Sequence, residues 1–365
     1  MVHAGLLLTA AALGCAVPCI APTIPTEHLH RTWVGGSQHD DMPLQVQAHR
    51  GGAGMHAEST LYAFAYALDI GADVVEMDAL FTKDLVPVVW HDFAIEPDKC
   101  FDTVPGANYV GKLIANLTLA ELKTLDCGSQ QSEGHTQAKL YPGAQVQTLE
   151  EVLEFINCYG DEHIMINLET KVDIRFPTFT PPVEVYIERL VPVLKAHGFF
   201  SRTILASFDW RSIVGIKAKF PEARVGALID ETLVDMIEGI WGTDWVTAAH
   251  ATGAEVVCPH HGSLNSSGEY GGTVRQREYV PFTTGEVVMK AHTLGMMVVP
   301  WTVDDESTIE KVIRDGVDGV ISNYPLRVGV VARHLNLDPG IGTGTVKPSR
   351  SQASCLAKAA FAAQS

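Results

Sequence analysis

Between Leu44 and Ser322 the chain repeats one pattern: a short β-type run, polar residues at its end, then a helical stretch. The runs are Leu44–Ala48, Val74–Phe81, Val86–His91, Ile164–Leu168, Thr203–Phe208, Arg224–Ile229, Glu255–Cys258, Met297–Val303 and Gly319–Ser322. Between most of them lie helical signals. Leu61, Phe64, Ala65 and Leu68 mark one face before Gly71, Thr118/Glu121 and Thr148/Glu151 form capping boxes, and Pro182–His197 and Thr283–Leu294 read as helices. Asp305 is placed to cap the last helix, whose Ile309, Val312 and Ile313 face inward. Alternation of β and α over roughly 280 residues predicts an α/β fold, and the length suits a (β/α)8 TIM-type barrel, with a doubly wound sheet as the competitor. Nine runs are one too many for such a barrel, and the link from Phe81 to Val86 is too short for a crossover helix. The β2–β3 connection is therefore expected to be irregular: a hairpin around Lys83-Asp84, or one run that extends another strand.

The second and third runs, with their flanks, span Val74 to Asp92 and hold Glu76, Asp78, His91 and Asp92 in otherwise core-like sequence. Buried carboxylates are unfavourable unless paired, hydrogen-bonded or bound to metal. In a barrel, polar residues at the carboxyl ends of strands mark the active face, and they collect there repeatedly: His49 and Arg50, Glu76 and Asp78, His91, Glu169 and Lys171, Ser207, Trp301. Period two puts Glu76 and Asp78 on one strand face, and Glu169 and Lys171 on another. Three carboxylates suit one hard divalent cation, Ca2+ or Mg2+, better than zinc, because no close His or Cys ligand spacing is present. His49 and His91, from different strand ends, can flank a substrate as general base and general acid. Arg50 and Lys171 bring positive charge that either binds phosphate or neutralises the carboxylates. The adjacent His260 and His261 are expected at the surface or rim.

That local cationic pocket matters because the 365-residue chain is acidic overall, with a formal charge of −17. Its average field repels polyanions, which excludes non-specific nucleic-acid or anionic-membrane binding. The apolar run Gly5–Leu13, followed by small residues, reads as a secretory signal, too short for a stable membrane span. A secreted or periplasmic location is expected. Of seven cysteines, Cys100, Cys127, Cys158, Cys258 and Cys355 lie beyond that signal, an odd number. Cys100 and Cys127 bracket the turn-rich segment after His91 and are expected either to pair or to be independent buried thiols; Cys355 is read as the unpaired thiol. Asn116 and Asn265 head N-x-S/T sequons.

These motifs, in this order, resemble the glycerophosphodiester phosphodiesterase family, in its secreted or periplasmic branch. The resemblance rests on Ala48-His49-Arg50-Gly51, Glu58-Ser59-Thr60, Glu76-Met77-Asp78, Thr82-Lys83-Asp84, Val88-Val89-Trp90-His91-Asp92, Leu168-Glu169-Thr170-Lys171, Trp301-Thr302-Val303 and Gly316-Val317-Asp318-Gly319. It implies a (β/α)8 barrel with an insert after the third strand. It also implies a metal on Glu76, Asp78 and Glu169, acid/base work by His49 and His91, phosphate held by Arg50 and Lys171, and Trp301 lining the glycerol or alcohol pocket. The implied reaction hydrolyses a small-molecule glycerophosphodiester to sn-glycerol 3-phosphate and an alcohol. The competing expectations are a phospholipase D-like hydrolase of lysophospholipids or sphingomyelin, for which Tyr109, Val110, Leu113 and Ile114 form either an apolar entrance or the insert's own small core, and a non-catalytic phosphodiester-binding barrel. The chain departs from the family pattern at Ala57 and Ser59 in the usual Pro-Glu-Asn-Thr, at Leu85 for a turn glycine, and at Asp304 for an asparagine. The expected organisation is a signal at 1–21, an irregular lead-in at 22–43, the barrel at 44–334 with its insert at 93–147, and a flexible tail at 335–365. Neither head group nor oligomeric state is written in the sequence.

Overall fold

The computed structural model describes residues 44–160, 163–264, 272–341 and 351–362, with side chains to residue 359. The expected signal and lead-in, and the Asn265 sequon, lie outside the described residues. Strands β1 (Gln45–Ala48), β2 (Val74–Phe81), β3 (Pro87–Val89), β4 (Phe101–Asp102), β5 (Leu125–Asp126), β6 (Gln147–Thr148), β7 (Met165–Thr170), β8 (Thr203–Ser207), β9 (Arg224–Ile229), β10 (Val256–Pro259), β11 (Met297–Val298) and β12 (Gly319–Ser322) follow in order. Eight of them are parallel staves in the sequence β11-β10-β9-β8-β7-β2-β1-β12. The ring closes where Asp318 N donates to Val298 O at 2.9 Å and Ile321 N to Pro300 O at 3.0 Å. The fold is a closed (β/α)8 barrel.

The ninth run is the return arm of a hairpin. β3 lies antiparallel on β2, pairing Ala79 with Val89 and Phe81 with Pro87, as so short a link requires. The insert follows this third strand, as expected, and because β3 is not a stave it sits between the second and third staves. Leu85 in the hairpin turn has φ 58°, a left-handed conformation that a glycine adopts at little cost.

The helices are α1 (Leu61–Asp69), α2 (Leu119–Leu122), α3 (Leu149–Tyr159), α4 (Val183–Ala196), α5 (Trp210–Lys219), α6 (Glu231–Trp241), α7 (Trp245–Ala251), α8 (Gly285–Thr293), α9 (Glu306–Arg314), α10 (Pro325–His334) and α11 (Gln352–Ala362). Both capping boxes form, at α2 and α3. Thr284, one residue later than expected, caps α8, because the Thr283 hydroxyl is buried and donates to His260 O instead. In α9, Ile309, Val312 and Ile313 are buried behind the Asp305 cap.

The insert carries its own small core of Ile95, Ile114, Leu117, Leu122 and Leu125 packed with Leu80, Val88 and Trp90. A Cys100–Cys127 disulfide closes it, and β6 returns the chain to β3. Burial of its apolar faces is what allows so turn-rich a segment to order. The expected flexible tail instead carries α11, tied to α3 by a Cys158–Cys355 disulfide with Cys355 and Ala359 buried. Cys258, buried in β10, is the free cysteine among the described residues. None of the described helices is long and apolar enough to cross a membrane.

Candidate active site

At the carboxyl end of β1 the chain turns through His49, Arg50 and Gly51 in a single 3-10 turn. Arg50 has φ 49°, a strained conformation for a side chain of its size. It is held there because its N–H donates to Glu76 Oε2 at 2.8 Å. Gly51, at φ 81°, is required: a Cβ there would stand 2.7 Å from the Ala63 carbonyl carbon at the start of α1. The His-Arg-Gly sequence thus aims two side chains into the barrel mouth and lets the chain leave beneath a helix.

Glu76 and Asp78 on β2 meet Glu169 on β7 through the register that pairs Asp78 with Glu169. All three are buried, and one ligand oxygen from each can be chosen so that all lie within 4.8 Å of one another. Neither carboxylate oxygen of Asp78 accepts a hydrogen bond among the described residues. A buried, under-satisfied all-oxygen set of this kind fits a hard divalent cation. The charges shape one another. Burial, with the neighbouring Asp78 carboxylate, raises Glu76 well above the usual range. Burial also pushes Glu169 up to about 7, against the pull of Lys171. At Asp78 burial is outweighed by Lys171, His91 and Arg50, and the carboxyl lies below its ordinary value.

The two histidines are fixed in the same way by different means. Asn323 Nδ2 donates to Asp304 Oδ2 at 2.8 Å, so its Oδ1, 2.6 Å from His49 Nδ1, accepts the imidazole proton. His91 Nδ1 lies 2.8 Å from the Asp92 carboxylate and donates to it. In both rings the proton sits on Nδ1, which leaves Nε2 as the lone-pair nitrogen. His49 Nε2 is 3.9 Å from Glu76 Oε2. Burial, reinforced by Arg50, lowers both histidines well below their ordinary value, with Lys171 adding to the effect at His91. The His91 side chain keeps 32% exposure, enough to meet a substrate.

A network of charges joins the two sides. Arg50 Nη1 donates to Glu58 at 3.1 Å, Lys99 Nζ bridges Glu58 at 2.9 Å and Asp92 at 2.5 Å, and Asp92 holds His91. Lys171 Nζ lies 2.8 Å from Glu169 Oε1 and 3.7 Å from Asp78 Oδ1. His49, Arg50, Glu76, His91, Asn167 and Glu169 line one side of a pocket. Phe208, Leu228, Trp301 and Ile321 form an apolar wall of it. The Trp301 indole donates to Cys258 O at 2.8 Å and meets Phe208 edge-on. Ser207 is structural, its buried hydroxyl donating to Thr170 O.

The eight site residues expected from the sequence lie together at this barrel mouth. Lys99, Asn323 and the holding role of Asp304 were not foreseen. The partner of Asn323 is 274 positions away and Lys99 sits in an aperiodic segment, so the only local signal was the departure at Asp304. One expectation fails: His260 and His261 are buried, packed against Trp301 and Tyr279. Of the two alternatives for the apolar residues of the insert, the small core holds: Ile114 lies in it, with Tyr109 and Val110 partly buried against it. Phe93, Phe176 and Phe179 cluster with one another, and the Arg175 guanidinium lies over both Phe176 and Phe208.

A barrel that gathers carboxylates, histidines and cations at its stave ends defines a phosphodiester-hydrolase type of site. Residues 49–327 match the Glycerophosphoryl diester phosphodiesterase family. A glycerophosphodiester phosphodiesterase of Caldanaerobacter subterraneus subsp. tengcongensis is 30% identical over 284 residues, covering 78% of this chain and 96% of the relative. One from Bacillus subtilis is 28% identical over 76% of this chain and 83% of its own. Among solved structures, an Oleispira antarctica phosphodiesterase in complex with the product sn-glycerol-3-phosphate superposes with a TM-score of 0.59. It is 26% identical and the match covers 80% of this chain and 97% of that one. The chain belongs to the glycerophosphoryl diester phosphodiesterase family, a family of enzymes.

Proposed function

We propose that this chain hydrolyses glycerophosphodiesters to sn-glycerol 3-phosphate and an alcohol, using His49 and His91 as the proton-transfer pair. The observation that carries the reading is the matched pinning of the two rings: both Nδ1 protons are committed to acceptors, and both Nε2 atoms are left for chemistry. Glu76, Asp78 and Glu169 would hold one divalent cation, Ca2+ or Mg2+. Such a cation, when bound, supplies Lewis-acid polarisation of a phosphoryl oxygen and a more acidic hydroxyl nearby. Arg50 and Lys171 orient the phosphate and balance its charge. His49, beside Glu76, takes the proton of the attacking hydroxyl. His91, on the side of the insert, acts as the acid in its doubly protonated form: a proton taken from solvent onto Nε2 before the step passes to the leaving alcohol. Trp301 and Phe208 pack the glycerol backbone.

Hydrolysis of glycerophosphocholine, assayed with and without chelator and with Ca2+ or Mg2+ restored, tests the reading; turnover that chelation leaves untouched would remove the cation from it. Phosphorus NMR during turnover separates attack by the glycerol 2-hydroxyl, which passes through a cyclic phosphate, from attack by water. A lysophospholipid is the second reading, favoured by the exposed Phe176 of the rim that continues from Phe208. Parallel rates with lysophosphatidylcholine and glycerophosphocholine separate the two. The Cys100–Cys127 and Cys158–Cys355 disulfides and the leader support secretion into an oxidising compartment. Protein recovered from the medium with an N-terminus near residue 22 is the expected result.

A further inference from the structure

Among the charged side chains that line the catalytic pocket, Asn167 is a neutral one with no part in proton transfer or in the carboxylate set. It lies on β7 two residues before Glu169 and in register with Glu76, so the strand face that carries the carboxylates also turns it inward. The residue is 2% exposed. Its Nδ2 donates to Gln47 Oε1 at 2.9 Å, and Gln47 is oriented in turn by a donation from its Nε2 to Gln45 Oε1 at 3.4 Å. That chain of amides leaves Asn167 Oδ1 as the open end, and no donor among the described residues meets it. A buried amide oxygen that faces a pocket calls for a donor from outside the protein. Leu228 and Ile321, buried in the same lining, offer none.

We propose that Asn167 Oδ1 accepts a hydrogen bond from the terminal hydroxyl of the glycerol moiety, and so selects substrates in which that hydroxyl is free. The inference rests on the phosphodiesterase reading above and adds which part of the substrate lies deepest. With the phosphate held at the stave ends, Asn167 stands two residues further down β7 than Glu169, about 6–7 Å deeper at the rise of a strand. The far hydroxyl of a glycerol phosphate stands off from phosphorus by a comparable length, while the 2-hydroxyl stays beside the reacting atoms and His49. An acyl chain on the far hydroxyl, as in a 1-acyl lysophospholipid, removes the donor and puts bulk against buried Leu228 and Ile321. The deacylated diester is then the favoured substrate. Gln47 acts as a positioning residue, because it decides which end of the Asn167 amide faces the pocket.

The test compares glycerophosphocholine with its 1-deoxy analogue, a 2-hydroxypropyl phosphocholine of the same configuration that keeps the 2-hydroxyl and lacks only the terminal one. In the unaltered protein kcat/KM for the first should exceed that for the second by about tenfold or more, because the analogue leaves a buried acceptor unpaired. A ratio near one overturns the proposal. In Asn167→Ala the ratio should fall toward one. Gln47→Met removes the group that orients the amide from outside the pocket lining, and should lower the ratio by a smaller factor, roughly threefold. A merely structural role for the Asn167–Gln47 pair would slow both substrates alike and keep the ratio, which overturns the proposal. Should the unaltered protein hydrolyse neither ester, the phosphodiesterase reading fails and the contact is judged by calorimetric titration with sn-glycerol 3-phosphate and with its 1-deoxy analogue. Binding of the first tighter by about tenfold sustains it, and equal binding overturns it.

Discussion

The two histidines have the same hydrogen-bonding pattern, but they are held by parts of the molecule with different architecture. His49 is fixed from within the barrel, by Asn323 just past β12, the stave that β1 pairs with along its whole length, and by Asp304, between β11 and α9, which holds Asn323. His91 is fixed outside it, at the end of a hairpin arm, by Asp92 and by Lys99 from the disulfide-closed insert. One support cannot move without opening the barrel, while the other depends on a segment with a separate small core. The two histidines proposed as acid and base are thus supported by elements of different construction.

Replacing either ring should end the chemistry. His49→Ala and His91→Ala are each expected to lower kcat by roughly 10²–10⁴-fold with the circular-dichroism spectrum unchanged; full activity in one would free that residue of its role. The supports should separate next. Asp92→Ala and Asn323→Leu each remove the group that accepts the Nδ1 proton, and a fall of about 10–100-fold in kcat is expected for both. Lys99→Met should show a smaller loss, and the part of it carried through Asp92 should vanish in an Asp92→Ala background, measured as a double-mutant cycle. Opening the insert disulfide by Cys100→Ser and Cys127→Ser removes a constraint over a sequence separation of 27. A loss on the order of 3 kcal/mol from the insert is expected. Hydrogen exchange should rise in residues 93–147 and leave β1 and β12 protected. At the small end, Leu85→Gly relieves a left-handed φ in the hairpin turn, and stability should rise by up to about 1 kcal/mol without a change in kcat.

The pH profile sharpens the same comparison. His49, the proposed base, lies below 6.5 in the folded protein, so its neutral form persists as pH falls past the ordinary histidine range, while the same lowering at His91 makes the protonated form of the proposed acid scarce above it. The acid limb of kcat/KM is expected below pH 6.5; a limb at or above it would place the working base elsewhere.

Sequence patterns carried the barrel, because alternating β runs and amphipathic helices have local periods that residue order alone displays. They placed the carboxylates and histidines at one rim for a related reason. Residues two apart on a strand share a face, and strand ends in a barrel share a rim, so Glu76, Asp78, Glu169, His49 and His91 could be assembled without coordinates. The hairpin was half-legible: its short link excluded a parallel neighbour, but the antiparallel register belongs to the packed sheet.

What lay beyond reach was every contact between residues with no common period. His49 and Asn323 are 274 positions apart, and Cys158 and Cys355 are 197 apart. Such pairs are set by barrel closure and by the docking of α11 on α3. The burial of His260 and His261, and the partial burial of the insert's Tyr109 and Val110, were decided in the same way, by which faces found a partner. Local chemistry determined which side chains could hold a cation or move a proton; only the closed barrel and its insert determined how each of them is held.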